Sequence, residues 1–200
     1  MTPPTPTLLR GPVPLVHQLL RQHLVAGNRA IDATCGNGKD TLCLARLVGE
    51  TGMVWGFDIQ ETAIDRTAQL LTEQGVYDRV HLVCSSHEAM AQQVESPIDA
   101  IVFNLGWLPG GNPDITTTTL TTLAALDEAK KLLAPGGILL LTCYPGHHAG
   151  RAETEQVREY CSNIPGGSFF VWEFRQLNVS PDAPFTILIQ RTPLTTKTSG

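Results

Sequence analysis

The strongest constraint on this chain lies in ten residues, Ile31-Asp32-Ala33-Thr34-Cys35-Gly36-Asn37-Gly38-Lys39-Asp40. Ile31 to Thr34 reads as a short buried strand. Gly36 and Gly38 make a tight turn, and residues 41–48 carry apolar side chains at helical spacing. A glycine turn between a strand and a helix brings bare backbone, and the N-terminal end of the helix, up to a ligand.

The rest of the chain repeats that unit. A helix over 13–25 precedes it, with apolar residues at 13, 15, 16, 19, 20 and 24, and Gly27 ends it. The first strand spans 29–34. A second buried strand, Met53-Val54-Trp55-Gly56-Phe57-Asp58, ends in an acid. A helix is expected over 61–74 and a third strand over 80–84, with Ser85-Ser86-His87-Glu88 after its end. A fourth strand covers 98–105, then a Gly/Pro-rich loop, then a helix over 117–133 closed by Pro135-Gly136-Gly137. The fifth strand, 138–144, is almost wholly apolar. Continuously apolar strands alternating with helices mean a parallel sheet covered on both faces. The ending differs: a helix over 153–162, then strands over 169–178 and 185–191 joined by a short link, so one of these two runs antiparallel. The expected fold is therefore α/β, a mostly parallel seven-stranded sheet with one antiparallel C-terminal strand. One domain spans 13–191, with an arm over 1–12 and a polar tail over 192–200.

Two hundred residues suit one sizeable core. At 42% hydrophobic and 16% charged residues the chain is globular in composition. A net charge of −5 gives no support to a grip on nucleic acid by broad electrostatics alone and leaves room for a local basic patch. The five cysteines, Cys35, Cys43, Cys84, Cys143 and Cys161, match no zinc spacing. They are expected as buried free thiols in a reducing cytoplasm. Residues 1–7 lack the layout of a signal peptide, and no apolar run approaches the ~20 residues of a membrane span.

A dinucleotide is the first ligand to consider at the glycine turn. However, Thr41 stands where its third glycine would be, and Asp40 at the helix start repels a pyrophosphate. S-Adenosylmethionine fits better, because it has no phosphate and its ammonium can be held by an acid or a carbonyl. Asp32 to Gly38 resembles motif I of the class I methyltransferases, D-x-x-C-G-x-G, a Rossmann-like fold with helices on both faces. Asp58 then stands where that family's acid grips both ribose hydroxyls, in charge-assisted bonds. Its other reading is a helix N-cap before Glu61. Gln60 is placed to contact the ribose or adenine edge, and Ser86 and His87 the adenine; the alternative for His87 is a helix-start side chain that meets no ligand. The candidate cofactor residues are Asp32, Cys35, Gly36, Asn37, Gly38, Asp40, Thr41, Asp58, Gln60, Ser86, His87 and Asn104.

Two stretches suggest the acceptor. Asn104-Leu105-Gly106-Trp107 resembles the Asp/Asn-Pro-Pro-aromatic motif of amino-methylating enzymes, without the prolines. There the polar side chain accepts hydrogen bonds from the target amine and the aromatic stacks on its base. The alternative is a polar turn with Trp107 as a core plug. Tyr144-Pro145-Gly146-His147-His148-Ala149-Gly150-Arg151 lies at the same sheet edge, either positioning substrate and taking a proton or forming a wet loop. No acid or cysteine completes a metal site around the two histidines. The candidate catalytic residues are Asn104, Trp107, Tyr144 and His147.

The four motifs in order, Asp32 to Thr41, Gly56-Phe57-Asp58-Ile59-Gln60, Phe103 to Gly111 and Tyr144 to His147, together resemble the YtqB-like family, long called rRNA methylases, over about 13–191. The resemblance implies methylation of the aminomethyl group of the tRNA wobble uridine, giving 5-methylaminomethyl-2-thiouridine. It makes tRNA the partner. Arg151, Arg158 and Arg175 are the candidate phosphate contacts, and the alternative for each is a solvated helix face. The family tends to have Tyr where Trp107 stands and His where Pro145 stands. Other readings are an rRNA methyltransferase, a methyltransferase of small amines or hydroxyls, an NAD-type oxidoreductase and a non-catalytic adenosylmethionine-binding protein. The end strands and the apolar N-terminal helix are compatible with a homodimer.

Overall fold

The computed structural model describes residues 8–106, 116–146 and 148–194. In chain order the elements are α1 (Pro12–His23), β1 (Arg29–Asp32), α2 (Lys39–Val48), β2 (Met53–Asp58), α3 (Glu61–Glu73), β3 (Val80–Cys84), α4 (Met90–Gln93), β4 (Ile98–Asn104), α5 (Thr119–Leu132), β5 (Leu133–Cys143), α6 (His148–Ser162), β6 (Phe169–Phe174) and β7 (Phe185–Arg191). The seven strands form one sheet in the order β3-β2-β1-β4-β5-β7-β6. Strands β3, β2, β1, β4 and β5 are parallel, and β7 runs antiparallel to both its neighbours, β5 and β6.

Alternation along each strand sends side chains to opposite faces. Ile31, Phe57, Ile101, Phe103, Leu139 and Leu141 pack on one face with Ala125, Leu126 and Ala129 of α5 and Val157 of α6. Ala30, Val54, Ala100, Val102, Ile138 and Leu140 pack on the other with Val16 and Leu20 of α1 and Leu44 and Val48 of α2. Both faces are dry, which explains why these strands read as unbroken apolar runs. Phe57, Phe103 and Phe185 are fully buried, and truncating any of them to Ala costs about 3–5 kcal/mol.

Several boundaries differ from expectation. Strand β5 starts at Leu133, directly after α5, so Pro135-Gly136-Gly137 lies inside the strand and does not close the helix. The ladder with β4 shifts register there, pairing Ile98 with Leu133 and then Ala100 with Ile138. Gly136 takes φ +84, and a Cβ on Gly137 would meet the Ala134 oxygen at 2.9 Å, so these glycines build a bulge. Helix α6 starts at His148, five residues early, so Arg151 sits on a helix. Strand β6 ends at Phe174, and a short helical segment at 87–93 follows β3. Cys84 is exposed, unlike the expected buried thiols, because β3 is an edge strand; Cys35, Cys143 and Cys161 are buried.

The strand order reverses between β1 and β4. In an open α/β sheet a crevice forms at that reversal, at the carboxyl ends of the strands. Every motif singled out above and described in the structure meets there.

Candidate active site

The crevice is a cavity of about 530 Å³. Its floor is the turn after β1. Gly36 and Gly38 have φ of +51 and +77, in the left-handed region. The Gly38 amide donates to the Cys35 carbonyl at 2.7 Å and the Cys35 amide to the Phe57 carbonyl at 2.8 Å. From α3, the Thr67 hydroxyl donates to the Gly36 carbonyl at 3.1 Å. A Cβ on Gly38 would lie 2.9 Å from that hydroxyl, so the close approach as well as the dihedral requires glycine.

Asp32 ends β1 fully buried behind this turn. It accepts from the Thr34 amide at 3.2 Å and the Thr41 hydroxyl at 2.7 Å, tying the strand end to α2. Burial, with the nearby Asp40 charge second, pushes its carboxyl up to about 7. Asp32, Gly38 and Thr41 thus shape the turn from behind, while Cys35, Gly36, Asn37 and Asp40 line the cavity. Burial also pushes the Cys35 thiol well above its usual range, so it stays a neutral thiol.

Asp58 ends β2 on the cavity wall. Its two oxygens accept from the Gly36 amide at 3.0 Å and the Gln60 amide at 2.9 Å. It is not the N-cap of α3; Gln60 holds that position, without a side-chain capping bond. Gln60, Ser86 and His87 also line the cavity. The His87 ring is buried edge-on against Phe103, with Nδ1 3.3 Å from the Ala33 carbonyl. The carbonyl can only accept, which places the proton on Nδ1, and burial lowers the ring's pKa so that it is neutral. Nε2 is then a buried acceptor without a partner among the described residues. A carboxylate already held by backbone, a buried ring acceptor and bare glycine backbone suit the hydroxyls and base edge of a nucleoside.

The opposite wall comes from β4, β5 and the start of α5. The Asn104 amide nitrogen donates to the Thr34 hydroxyl at 2.7 Å, which locks the end of β4 to the turn. The Asn104 side-chain Nδ2 donates to Asp40 at 2.7 Å. The other Asp40 oxygen lies 2.5 Å from Nε2 of His17, on α1. Tyr144 lines the cavity beside them, its phenol pushed up by burial and then by the Asp40 charge. Below, the Gly106 amide donates to the Thr117 hydroxyl at 2.8 Å, and Thr117 and Thr122 donate to buried Glu153 at 2.8 and 2.7 Å. Trp107 and His147 lie outside the described residues.

The structure thus brings Asn104, Tyr144, Asp40, Asp58 and His87 around one cavity. His17, Thr117 and Glu153 are additions that sequence reasoning missed. His17 sits on an ordinary amphipathic helix, and only its nearness to Asp40 in space sets it apart. The three arginines expected to meet phosphates are engaged elsewhere: Arg151 with Asp182, and Arg158 and Arg175 with Glu173.

Known proteins share both sequence and shape. The family model described as "Putative rRNA methylase" matches residues 54–190. A chloroplastic tRNA (mnm5s2U34)-methyltransferase from Arabidopsis thaliana is 38% identical over 186 residues, 88% of this chain and 67% of that protein. A "putative rRNA-methylase" from Clostridium thermocellum superposes with a TM-score of 0.90 at 37% identity, covering 92% of this chain and 100% of that one. A "putative methyltransferase" from Streptococcus mutans, solved with SAH, superposes with a TM-score of 0.83 at 31% identity, covering 92% and 99%. With the glycine turn, the acid ending β2 and Asn104 ending β4 in one crevice, this chain belongs to the rRNA methylase family of Rossmann-like methyltransferases.

Proposed function

We propose that this chain transfers a methyl group from S-adenosylmethionine to a primary amine, the aminomethyl group of the wobble uridine of tRNA. The observation that carries the amine is the orientation of Asn104. A carboxylate offers only lone pairs, so the amide turns its NH₂ toward Asp40, which leaves Oδ1 as the acceptor of a residue that lines the cavity. An acceptor oxygen there suits a neutral amine, whose N–H it can hold with the nitrogen lone pair turned to the methyl donor. A ligand with only acceptors gains nothing from it. The wobble uridine rests on the likeness to the Arabidopsis tRNA methyltransferase.

The cofactor supplies an electrophilic methyl on a sulfonium. On the protein side, Asp58 is the group for the ribose hydroxyls, and the Gly36 and Asn37 backbone and His87 complete a nucleoside site. Asn104 orients the amine, contributing proximity and electrostatics rather than proton removal. Tyr144 remains a phenol, because burial and the Asp40 charge both oppose its ionisation, so it donates hydrogen bonds and is not the base. The amine must arrive neutral. The proton it sheds after methylation goes to water.

Mass spectrometry of nucleosides tests this reading. Purified protein with S-adenosylmethionine and tRNA bearing 5-aminomethyl-2-thiouridine is expected to convert that nucleoside to its methylaminomethyl form. An unchanged nucleoside, alongside methylation of ribosomal RNA or a small amine, overturns the tRNA assignment.

A further inference from the structure

We propose that His17 is a positioning residue for methyl transfer, acting through Asp40 to fix which end of the Asn104 amide faces the acceptor. The inference rests on the reading of Asn104 as the group that holds the amine.

Three elements converge here: His17 from α1, Asp40 from the first turn of α2, and Asn104 from the end of β4. Asp40 accepts from both neighbours, at 2.5 Å from the His17 ring and 2.7 Å from the Asn104 amide. Asp40 and Asn104 line the cavity, whereas His17 does not. His17 therefore meets the site through Asp40. One turn earlier on the same face of α1, Val13 reaches the cavity wall, so the helix supplies both a wall and a brace.

Charge explains why a brace is needed. Asp40 stands near Asp32, a buried acid whose proton affinity Asp40 raises. It also raises that of Tyr144. His17 brings a positive charge into direct contact with Asp40. The bond to Asp40, with a second bond to Cys43, pushes the ring up to about 10, so it is an imidazolium at neutral pH. The imidazolium holds one carboxylate oxygen and leaves the other aimed at Asn104. Without it the carboxylate can turn toward solvent and release the Asn104 amide, which is then free to present NH₂ in place of Oδ1.

Three variants and two readouts test this. His17→Ala is expected to lower kcat about 10- to 100-fold through misorientation, with S-adenosylmethionine affinity within threefold of wild type. His17→Gln, which keeps an N–H for Asp40, is expected to recover most of that loss. His17→Ala combined with Asp40→Asn should be no slower than Asp40→Asn alone, because both act through one contact. Independently of turnover, NMR of the free protein is expected to show the Asn104 side-chain NH₂ protons shifted and protected in wild type. In His17→Ala they should move to exposed-amide positions. Full kcat in His17→Ala, or loss of kcat with an unmoved Asn104 amide, overturns the proposal. If wild type itself leaves aminomethyl-tRNA unchanged, the acceptor reading has failed, and the amide resonances alone decide whether His17 locks Asn104.

Discussion

The two walls of the crevice are held in different ways. On the cofactor side, Asp58 grips two backbone amides, and Asp32 grips one amide and a threonine hydroxyl. These acids hold the shape of the chain. On the acceptor side, Asp40 grips two side chains, from α1 and β4. Its two bonds there go to side chains, so it sets the orientation of functional groups. The cofactor wall is thus part of the fold, while the acceptor wall is a small side-chain assembly mounted on it. Damage to the first should reach affinity and stability together. Damage to the second should reach rate alone.

Asn104→Ala is the largest expected effect and the sharpest test of that division. Removing the Oδ1 acceptor should cost about 10²–10³ in kcat on the amine substrate. Calorimetry should find cofactor affinity within a few-fold of wild type, since the Thr34 bond to the Asn104 backbone survives the substitution. Equal losses of rate and affinity would mean that the two walls work as one.

Asp58→Ala attacks the other wall. It removes a charged acceptor and strands the Gly36 and Gln60 amides. Hydrogen bonds to charged groups are worth about 1.5–3 kcal/mol, so cofactor affinity should fall about 10- to 100-fold. At saturating cofactor, kcat should stay close to wild type. A kcat that falls as far as affinity would break the division from this side.

This difference also explains what was legible. The five parallel strands, the reversal after them, and Asp32, Gly36, Gly38 and Asp58 could be read from the sequence. Asp58 is held by two backbone amides and Asp32 by one amide and the nearby Thr41 hydroxyl, and backbone shape follows from local patterns: apolar runs, glycines at positive φ, acids at strand ends. His17 was not legible. It stands 23 residues from Asp40, which in turn stands 64 from Asn104, and any helix of this polarity could carry a histidine. Glu153 was hidden likewise, since a glutamate on a polar-looking helix gives no sign that it is buried under two threonine hydroxyls. The early start of α6 was missed because Gly146 and Gly150 make that stretch read as a loop, and the bulge in β5 because Pro-Gly-Gly reads as a terminator.

Gly38→Ala should act on the cofactor wall through conformation alone. Its φ of +77 and the 2.9 Å approach to Thr67 leave no unstrained place for a Cβ. Strain of this kind costs about 1–3 kcal/mol, and a domain of this size loses about 2–4 °C of Tm per kcal/mol. A lowered Tm with weakened cofactor binding and intact kcat at saturation would sharpen the comparison. An unchanged Tm would show the turn to be softer than its contacts imply.

The smallest effect, and the finest division, is in pH. Both Asp32 and His17 have proton affinities raised by folding, so each contributes stability at low pH that is lost as pH rises. For Asp32 the contribution is full below 3.8 and gone once pH passes about 7. For His17 it is full below 6.5 and gone once pH passes about 10. Thermal melts of wild type against Asp32→Asn should therefore converge or diverge mainly below pH 7. Those against His17→Ala should do so mainly above it. Asp40→Asn separates the walls further. The largest cause of the Asp32 shift is burial, with the Asp40 charge second, whereas the largest cause for His17 is its bond to Asp40. In Asp40→Asn the upper window should slide down toward 6.5 while most of the lower one stays. If both windows collapse together, Asp40 holds the two walls as a single unit, and the acceptor side is as much a part of the fold as the cofactor side.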